Sequence, residues 1–350
     1  MKKTSVRMFA TALLAAAACF ATPAFGGEIE QGPTGIKVGA TLADYANNYY
    51  AYVRSGIEFH AANRVNLTMT DSRNNQTVQN EVVDTLITKG SQVLAVGMVD
   101  AQSASTIIEK ARAYDLPLIL FGNMPSAEVL HSYDKCWYVG IDGSDLGRLQ
   151  GEMVVKEWKE NMVKFDRNGD GILQYVLIMG TPGHSEVALR TDAFEKVIAE
   201  SGIKAVQLAK QQAEWNTTKA KELMEAWIGR FGNQIEMVVS NNDAMAIGAV
   251  EALRANGLIT KDVLTPVVGV NALPEASALI RDGIMFGSIL TDPTAQGQAI
   301  VELSINAGKG RFDDITYGTQ WQLRPDKSIR IPGVMVTEEN VDKAMEVYKK

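Results

Sequence analysis

Residues 92–122 read QVLAVGMVDAQSASTIIEKARAYDLPLILFG. Two apolar runs, QVLAVGM and LPLILFG, enclose an amphipathic stretch over 102–114 that has the length of a helix. Runs this apolar suit strands covered on both faces, and strand, helix, strand in succession is the unit of a parallel sheet. The alternation starts at residue 36 with IKVGATL and VNLTMTD, and the stretches over 48–63 and 76–89 supply its helices. It begins again after WYVGIDGSD with a helix predicted over about 144–159, and continues through ILQYVLIMG, IEMVVSNN, TPVVGVN and MFGSILTD. The expected fold is therefore α/β, with two doubly wound parallel-sheet lobes. No low-complexity linker separates the lobes, so the crossings between them should be short ordered segments.

Composition agrees with two lobes. The 350 residues are 46% hydrophobic and 21% charged, enough for a sizeable core and about two domains. A net charge of −7 lacks the basic footprint that nucleic acid needs. No GxSxG, HExxH, P-loop or cysteine-based metal motif occurs, so the chain does not read as an enzyme. At the N-terminus, MKKTSVR, MFATALLAAAACFA and ATPAFG form the basic, apolar and small-residue parts of a signal peptide over 1–26, with cleavage near Ala24 or Gly26. The mature protein is expected to be exported. Cys19 falls in that leader, and AAAC lacks a Leu-like residue three positions before the cysteine, so lipid anchoring is not expected. Cys136 is then the sole remaining cysteine, which excludes an intramolecular disulfide.

Ligands of open α/β sheets bind beyond the carboxyl ends of the strands. Those ends carry Asn47, Gly122 with Asn123, His184, Asn242 with Asp243, Asn271, and Thr291 with Asp292. Polar groups recurring there from both lobes suit a polyhydroxylated small molecule, whose hydroxyls need matched donors and acceptors. Several polar and aromatic positions near these ends also have a structural reading. Asn47 and Asn242 could cap helices, Trp215 could pack in the core, and Glu186 with Arg190 has the spacing of a helix-surface ion pair. A second site is suggested by DRNGDG. Asp166, Asn168 and Asp170 take loop positions one, three and five of a calcium loop and Gly171 position six, yet position twelve is Leu177 and a strand-like run follows. An Asx-rich turn without an ion is the alternative.

The motifs DTLITKG, MVDAQSASTIIEKARAYDLPLILF, SYDKCWYVG, DRNGDG, TPGHSEVALR, AEWNTTKAKELMEAW, IEMVVSNNDAMAIGAVEALRANG and VVGVNALPEA together resemble the periplasmic galactose/glucose-binding proteins of bacterial ABC transport, from about residue 36 to the C-terminus. The resemblance implies the type I periplasmic binding protein fold, with a three-segment hinge near 141–143, 291–293 and 330–333. One lobe would hold 36–141 and 293–330, the other 142–292 and 331–350. It also implies a monosaccharide ligand, an ABC permease as partner, a chemoreceptor as a second one, and a monomer. For the ion it implies structural Ca2+, with the side chains of Asp166, Asn168, Asp170 and Gln174, the carbonyl of Ile172, and a last bidentate carboxylate from Glu236 of IEMVV.

For the sugar, the resemblance places Tyr49 and Trp215 as sandwiching rings, with His184, Arg190 and Asn242 bonding to hydroxyls. Tyr49 replaces a Phe. Five positions depart from the family: Asn47, Glu186 and Asn271 stand for Asp, and Gly122 and Thr291 stand for Asn. Carboxylates accept strongly from hydroxyls, so these changes should alter hydroxyl preference. A pentose, deoxysugar or other polyol is the alternative ligand class.

Overall fold

The computed structural model of the chain describes residues 32–349. The leader assigned to 1–26, with Cys19, lies outside them. The first lobe runs β1 (Lys37–Leu42), α1 (Asn48–Ala61), β2 (Asn66–Asp71), α2 (Gln76–Thr88), β3 (Val93–Met98), α3 (Ala104–Ala113), β4 (Leu118–Gly122), α4 (Ala127–His131) and β5 (Cys136–Ile141). The second repeats the pattern with α5 (Gly143–Phe165), β6 (Leu173–Met179), α6 (Ser185–Glu200), β7 (Ala205–Gln212), α7 (Thr217–Phe231), β8 (Met237–Ser240), α8 (Asp243–Ala255), β9 (Val267–Asn271), α9 (Pro274–Arg281) and β10 (Gly287–Thr291). Then α10 (Pro293–Gly308) packs on α1, and β11 (Ser328–Ile331), β12 (Gly333–Val336) and α11 (Val341–Met345) end the chain.

Two six-stranded sheets result, ordered β11-β5-β4-β3-β1-β2 and β12-β10-β9-β8-β6-β7. Every ladder of the first is parallel. In the second, β12 runs antiparallel to β10, an edge strand that departs from the all-parallel expectation. Strand order reverses between β1 and β3 and again between β6 and β8, and such switch points open a crevice at the carboxyl edge. The chain passes between sheets after β5, after β10, and between β11 and β12, where Pro332 alone separates the two strands.

The central strands β3 and β5 are buried at every position, as apolar runs flanked by helices on both faces require. The strand β7, AVQLAKQQ, has no apolar run because it is a half-exposed edge, and for that reason it has no signature in the sequence. Helix α5 extends to Phe165, past the expected 144–159, with non-helical dihedrals at Asn161. Trp137, Tyr138 and Phe121 fill the first core and Trp158, Phe165 and Phe194 the second. Cys136 is buried and unpaired. No helix among the described residues is long and apolar enough to cross a membrane.

Candidate functional site

The carboxyl ends of both sheets meet around a cavity of about 580 Å³, with a side pocket of about 180 Å³. Asn47, Tyr49, Gly122, Asn123, His184, Glu186, Arg190, Trp215, Asn242 and Asn271 all line the larger space. Thr291 does not reach its wall. It is fully buried behind Asn271, whose Nδ2 donates to Thr291 Oγ1 at 2.9 Å. Asp243 is also buried behind the wall. Its carboxylate accepts from Ser288 Oγ at 2.6 Å and Leu273 N at 2.7 Å, and burial pushes it up to about 7.

Capping and cleft lining turn out to be one role, because each strand end is also a helix start. Asn47 Oδ1 accepts from Tyr49 N at 3.0 Å and Tyr50 N at 3.1 Å, and Asn242 Oδ1 accepts from Met245 N at 3.0 Å. His184 caps α6 through Nδ1, which accepts from Glu186 N at 3.2 Å. Burial, assisted by the charge of Arg190, lowers His184 to about 4, so at neutral pH the ring is uncharged. With Nδ1 accepting, the proton sits on Nε2, which becomes a donor. The Trp215 indole meets the His184 ring edge-on, with centroids 5.4 Å apart, and the Arg190 guanidinium lies 5.7 Å from the indole centroid. Glu214 and Trp215 both have left-handed backbone, at φ +54 and +62, which turns the chain at the end of β7. Gly180 makes room for the ring: a Cβ there would stand 2.1 Å from Trp215 Cζ2.

The Glu186 and Arg190 pair is buried, with the residues 3% and 5% exposed, so it is no helix-surface pair. Arg190 donates from Nε and Nη2 to Glu186 Oε2 at 3.3 and 3.1 Å, and from Nη1 to Asn241 O at 2.6 Å. Glu186 Oε1 is buried with no hydrogen-bond partner. Burial raises this carboxyl above its usual range, and Arg190 opposes the rise. An unpaired buried acceptor is costly unless something donates to it. Asn123 joins the lobes directly. Its Oδ1 accepts from Ser185 N at 3.1 Å and Ser185 Oγ at 3.0 Å, while Met124 N donates to that same hydroxyl at 3.1 Å.

Sequence reasoning missed Tyr50, Tyr138, Gln296, Asp44 and Asp100, which also line the cavity. Asp100 follows β3, so the strand-end rule could have found it. Gln296 lies in the first turn after a lobe crossing and accepts from Tyr49 Oη at 2.9 Å. No strand-end rule reaches it. Tyr50 adjoins a chosen residue but points elsewhere on the helix, since consecutive residues stand 100° apart.

Around residues 166–174 the backbone curls over two carboxylates. Asp166 accepts from Gly169 N at 2.8 Å, Asp170 N at 3.1 Å and Gly171 N at 2.8 Å. Asp170 Oδ2 accepts from Asn168 Nδ2 at 2.9 Å and Gln174 Nε2 at 2.8 Å. Glu236, 1% exposed, reaches the loop and accepts from Arg167 N at 2.9 Å and Gln174 N at 3.1 Å. Arg167 braces the same segment through hydrogen bonds to Ile235 O and Thr265 Oγ1. Among the described residues no group of three or more His, Cys, Asp or Glu has the spacing of a metal cluster. The turn is held by Asx hydrogen bonds, while Gln174 Oε1 remains buried without a partner. The carboxylates of Asp166, Asp170 and Glu236, the amides of Asn168 and Gln174 and the Ile172 carbonyl are hard oxygen donors of the kind calcium takes, although the three carboxylates are not gathered into one cluster here.

Two doubly wound lobes with a polar, aromatic-walled cleft between their strand ends define the class of solute-binding proteins. Residues 38–311 match the periplasmic binding protein domain. The chain is 38% identical over 347 residues to the D-galactose/methyl-galactoside binding periplasmic protein MglB of Haemophilus influenzae, covering 97% of this chain and 98% of that one. It is 28% identical over 313 residues to a xylitol-binding protein of Mycolicibacterium smegmatis, covering 89% and 79%. The solved structure of an ABC transporter solute binding protein from Bacillus halodurans with bound myo-inositol shares the fold, with a TM-score of 0.74, 24% identity, and coverage of 91% and 99%. The chain belongs to the periplasmic binding protein family, within its sugar-binding solute-binding proteins of ABC transport, which are not enzymes.

Proposed function

We propose that this protein is exported, captures a monosaccharide or closely related polyol between its lobes, and delivers it to an ABC permease as a monomer, with a chemoreceptor as a second docking partner. The observation that carries the ligand class is the cavity itself. It sets Tyr49 and Trp215 among His184, Asn242, Asn271 and a Glu186 oxygen still lacking a donor. Flat apolar ring faces suit the aromatic walls, and hydroxyls suit the neutral amides, the His184 Nε2 donor and the carboxylate. The relatives favour the same class, since their names specify a galactoside and xylitol.

The hinge consists of the segments near 141–143, 291–293 and 330–333, dividing the chain into 36–141 with 293–330 and 142–292 with 331–350. A ligand touching both walls gains contacts only when they close, and so shifts the population toward the closed form. The side chains of Asp166, Asn168, Asp170, Gln174 and Glu236 and the carbonyl of Ile172 hold structural calcium, which ties the loop to the strand start at Glu236. The five departures together change the set of partners offered to the ligand, so glucose and galactose bind more weakly than the best ligand. Calorimetry with D-galactose, D-glucose, D-ribose, xylitol and myo-inositol tests the reading. Binding of at least one is expected, and no heat from any of them overturns it.

A further inference from the structure

Gly122 ends β4 with φ +78, a left-handed conformation, and its carbonyl accepts from Tyr138 Oη at 2.6 Å. A side chain at this position would begin 2.9 Å from Tyr50 Oη. The space an asparagine would need is therefore occupied by a phenol from another element, the first turn of α1. Tyr49 and Tyr50 divide the work of that turn. Their rings lie 6.2 Å apart and tilted by 47°, with the Tyr49 hydroxyl committed to Gln296 and the Tyr50 hydroxyl turned toward Gly122.

We propose that Tyr50 is a specificity-determining residue of the cleft: its hydroxyl replaces the side chain missing at Gly122 and donates to a ring hydroxyl of the bound polyol. The inference rests on reading the cleft as a polyol site. An amide offers two donors and an acceptor, whereas a phenol offers one O–H and its oxygen, so the exchange changes which hydroxyl orientation is satisfied. Burial pushes the Tyr50 phenol up to about 12, with the charge of Glu186 adding to the rise, so it keeps its proton and serves as a donor. Glu186 lines the same cavity, and its Oε1, buried and without a partner, is an acceptor still to be satisfied. Between them they suit a ligand hydroxyl that accepts from one and donates to the other.

The test uses Tyr50→Phe, Gly122→Asn and the double variant of the mature protein, with melting curves and calorimetry on the five sugars and polyols named above. Tyr50→Phe should weaken the best-bound ligand about tenfold, the size of one lost hydrogen bond, and reorder the others. Gly122→Asn should lower the melting temperature by crowding the phenol, and adding Tyr50→Phe should restore part of it. Asparagine tolerates the left-handed conformation, so the restoration can be read. Affinities unchanged within twofold in Tyr50→Phe, or effects of the two changes that simply multiply, overturn the inference while leaving the polyol reading intact. A wild-type protein that binds none of the five overturns both.

Discussion

In the 166–174 loop, five of six candidate ion donors come from nine consecutive residues, whereas the cleft gathers Asn47, Gly122, His184, Trp215, Asn242 and Asn271 from six separate strand ends. The loop is local, and its donors are fixed by turn geometry. The cleft is non-local, and there a change at one wall is answered from another element. Tyr50 fills the space beside Gly122, and Asn271 bonds to Thr291. A local site can therefore be read position by position, but a site assembled across the fold must be read in pairs.

The sharpest break between the two regions is calcium. With free calcium a thousandfold above its dissociation constant, binding adds about 4 kcal/mol to folding stability. Chelation should then lower the melting temperature by several degrees in scanning calorimetry and leave sugar affinity unchanged, since no loop residue lines the cleft. Glu236→Gln should abolish the chelator response. A wild-type curve indifferent to chelation, or a Glu236→Gln curve still sensitive to it, removes the ion from the account.

Next in size is the Trp215 indole. If its face covers a ligand ring, as proposed, Trp215→Ala should cost roughly 2–3 kcal/mol of binding, the value of burying a large apolar side chain. Calorimetry with the best of the five ligands measures this. An affinity within threefold of wild type would make Trp215 mere packing against Gly180.

How far each region was legible follows from the same contrast. Periodicity located the buried strands of both sheets because apolar runs such as VLAVGM leave no alternative, and the cap-forming residues at their ends marked the crevice. Edge strand β7 left no apolar run, and antiparallel β12, GVMV, is only four residues long, too short to mark a strand by periodicity. In the cleft ten predicted residues reach the wall: Asn47, Gly122, Asn123, His184, Asn242 and Asn271 follow from their places at strand ends, a local property, whereas Tyr49, Glu186, Arg190 and Trp215 come from the family resemblance. Thr291 fails because its side chain turns toward Asn271, and Tyr50 was passed over because its role exists only across from Gly122. The burial of Glu186 and Arg190 was likewise invisible, since spacing four apart is shared by surface pairs and buried ones.

Protonation gives a smaller test. His184 in the folded protein is lowered to about 4 by burial, below the usual value near 6.5. As pH falls from about 6.5 to about 4, the unfolded chain takes up a proton that the folded chain refuses, so this group's effect is to lower stability across that window. Asp243, raised to about 7 by burial, acts in the opposite sense, its contribution fading as pH rises from about 4 to about 7. The raw curve mixes the two. The difference between wild type and His184→Gln isolates the histidine: it should change by about 2 kcal/mol between pH 7 and pH 4, allowing for the ring's partial exposure. A constant difference means the ring titrates normally.

The smallest effect lies where the cleft meets the chain's end. Tyr348 Oη donates to Asn271 O at 2.7 Å, and its ring meets Tyr52 edge-on with centroids 4.7 Å apart. Tyr52 belongs to α1 of the first lobe and Asn271 ends β9 of the second, so this one side chain touches both. Asn271 holds φ +115, a conformation that costs a non-glycine residue and persists only where its surroundings enforce it. Tyr348→Phe removes the enforcing donor yet keeps the ring contact. The loss of one hydrogen bond should cost about 1 kcal/mol, seen as a small drop in melting temperature. If the strained backbone presents Asn271 to the ligand, affinity should fall as well, because a relaxed residue no longer aims its side chain at the cleft. A melting temperature that drops while affinity stays constant would assign Tyr348 to holding the lobes, and would make the Asn271 and Thr291 pair sufficient to set that wall.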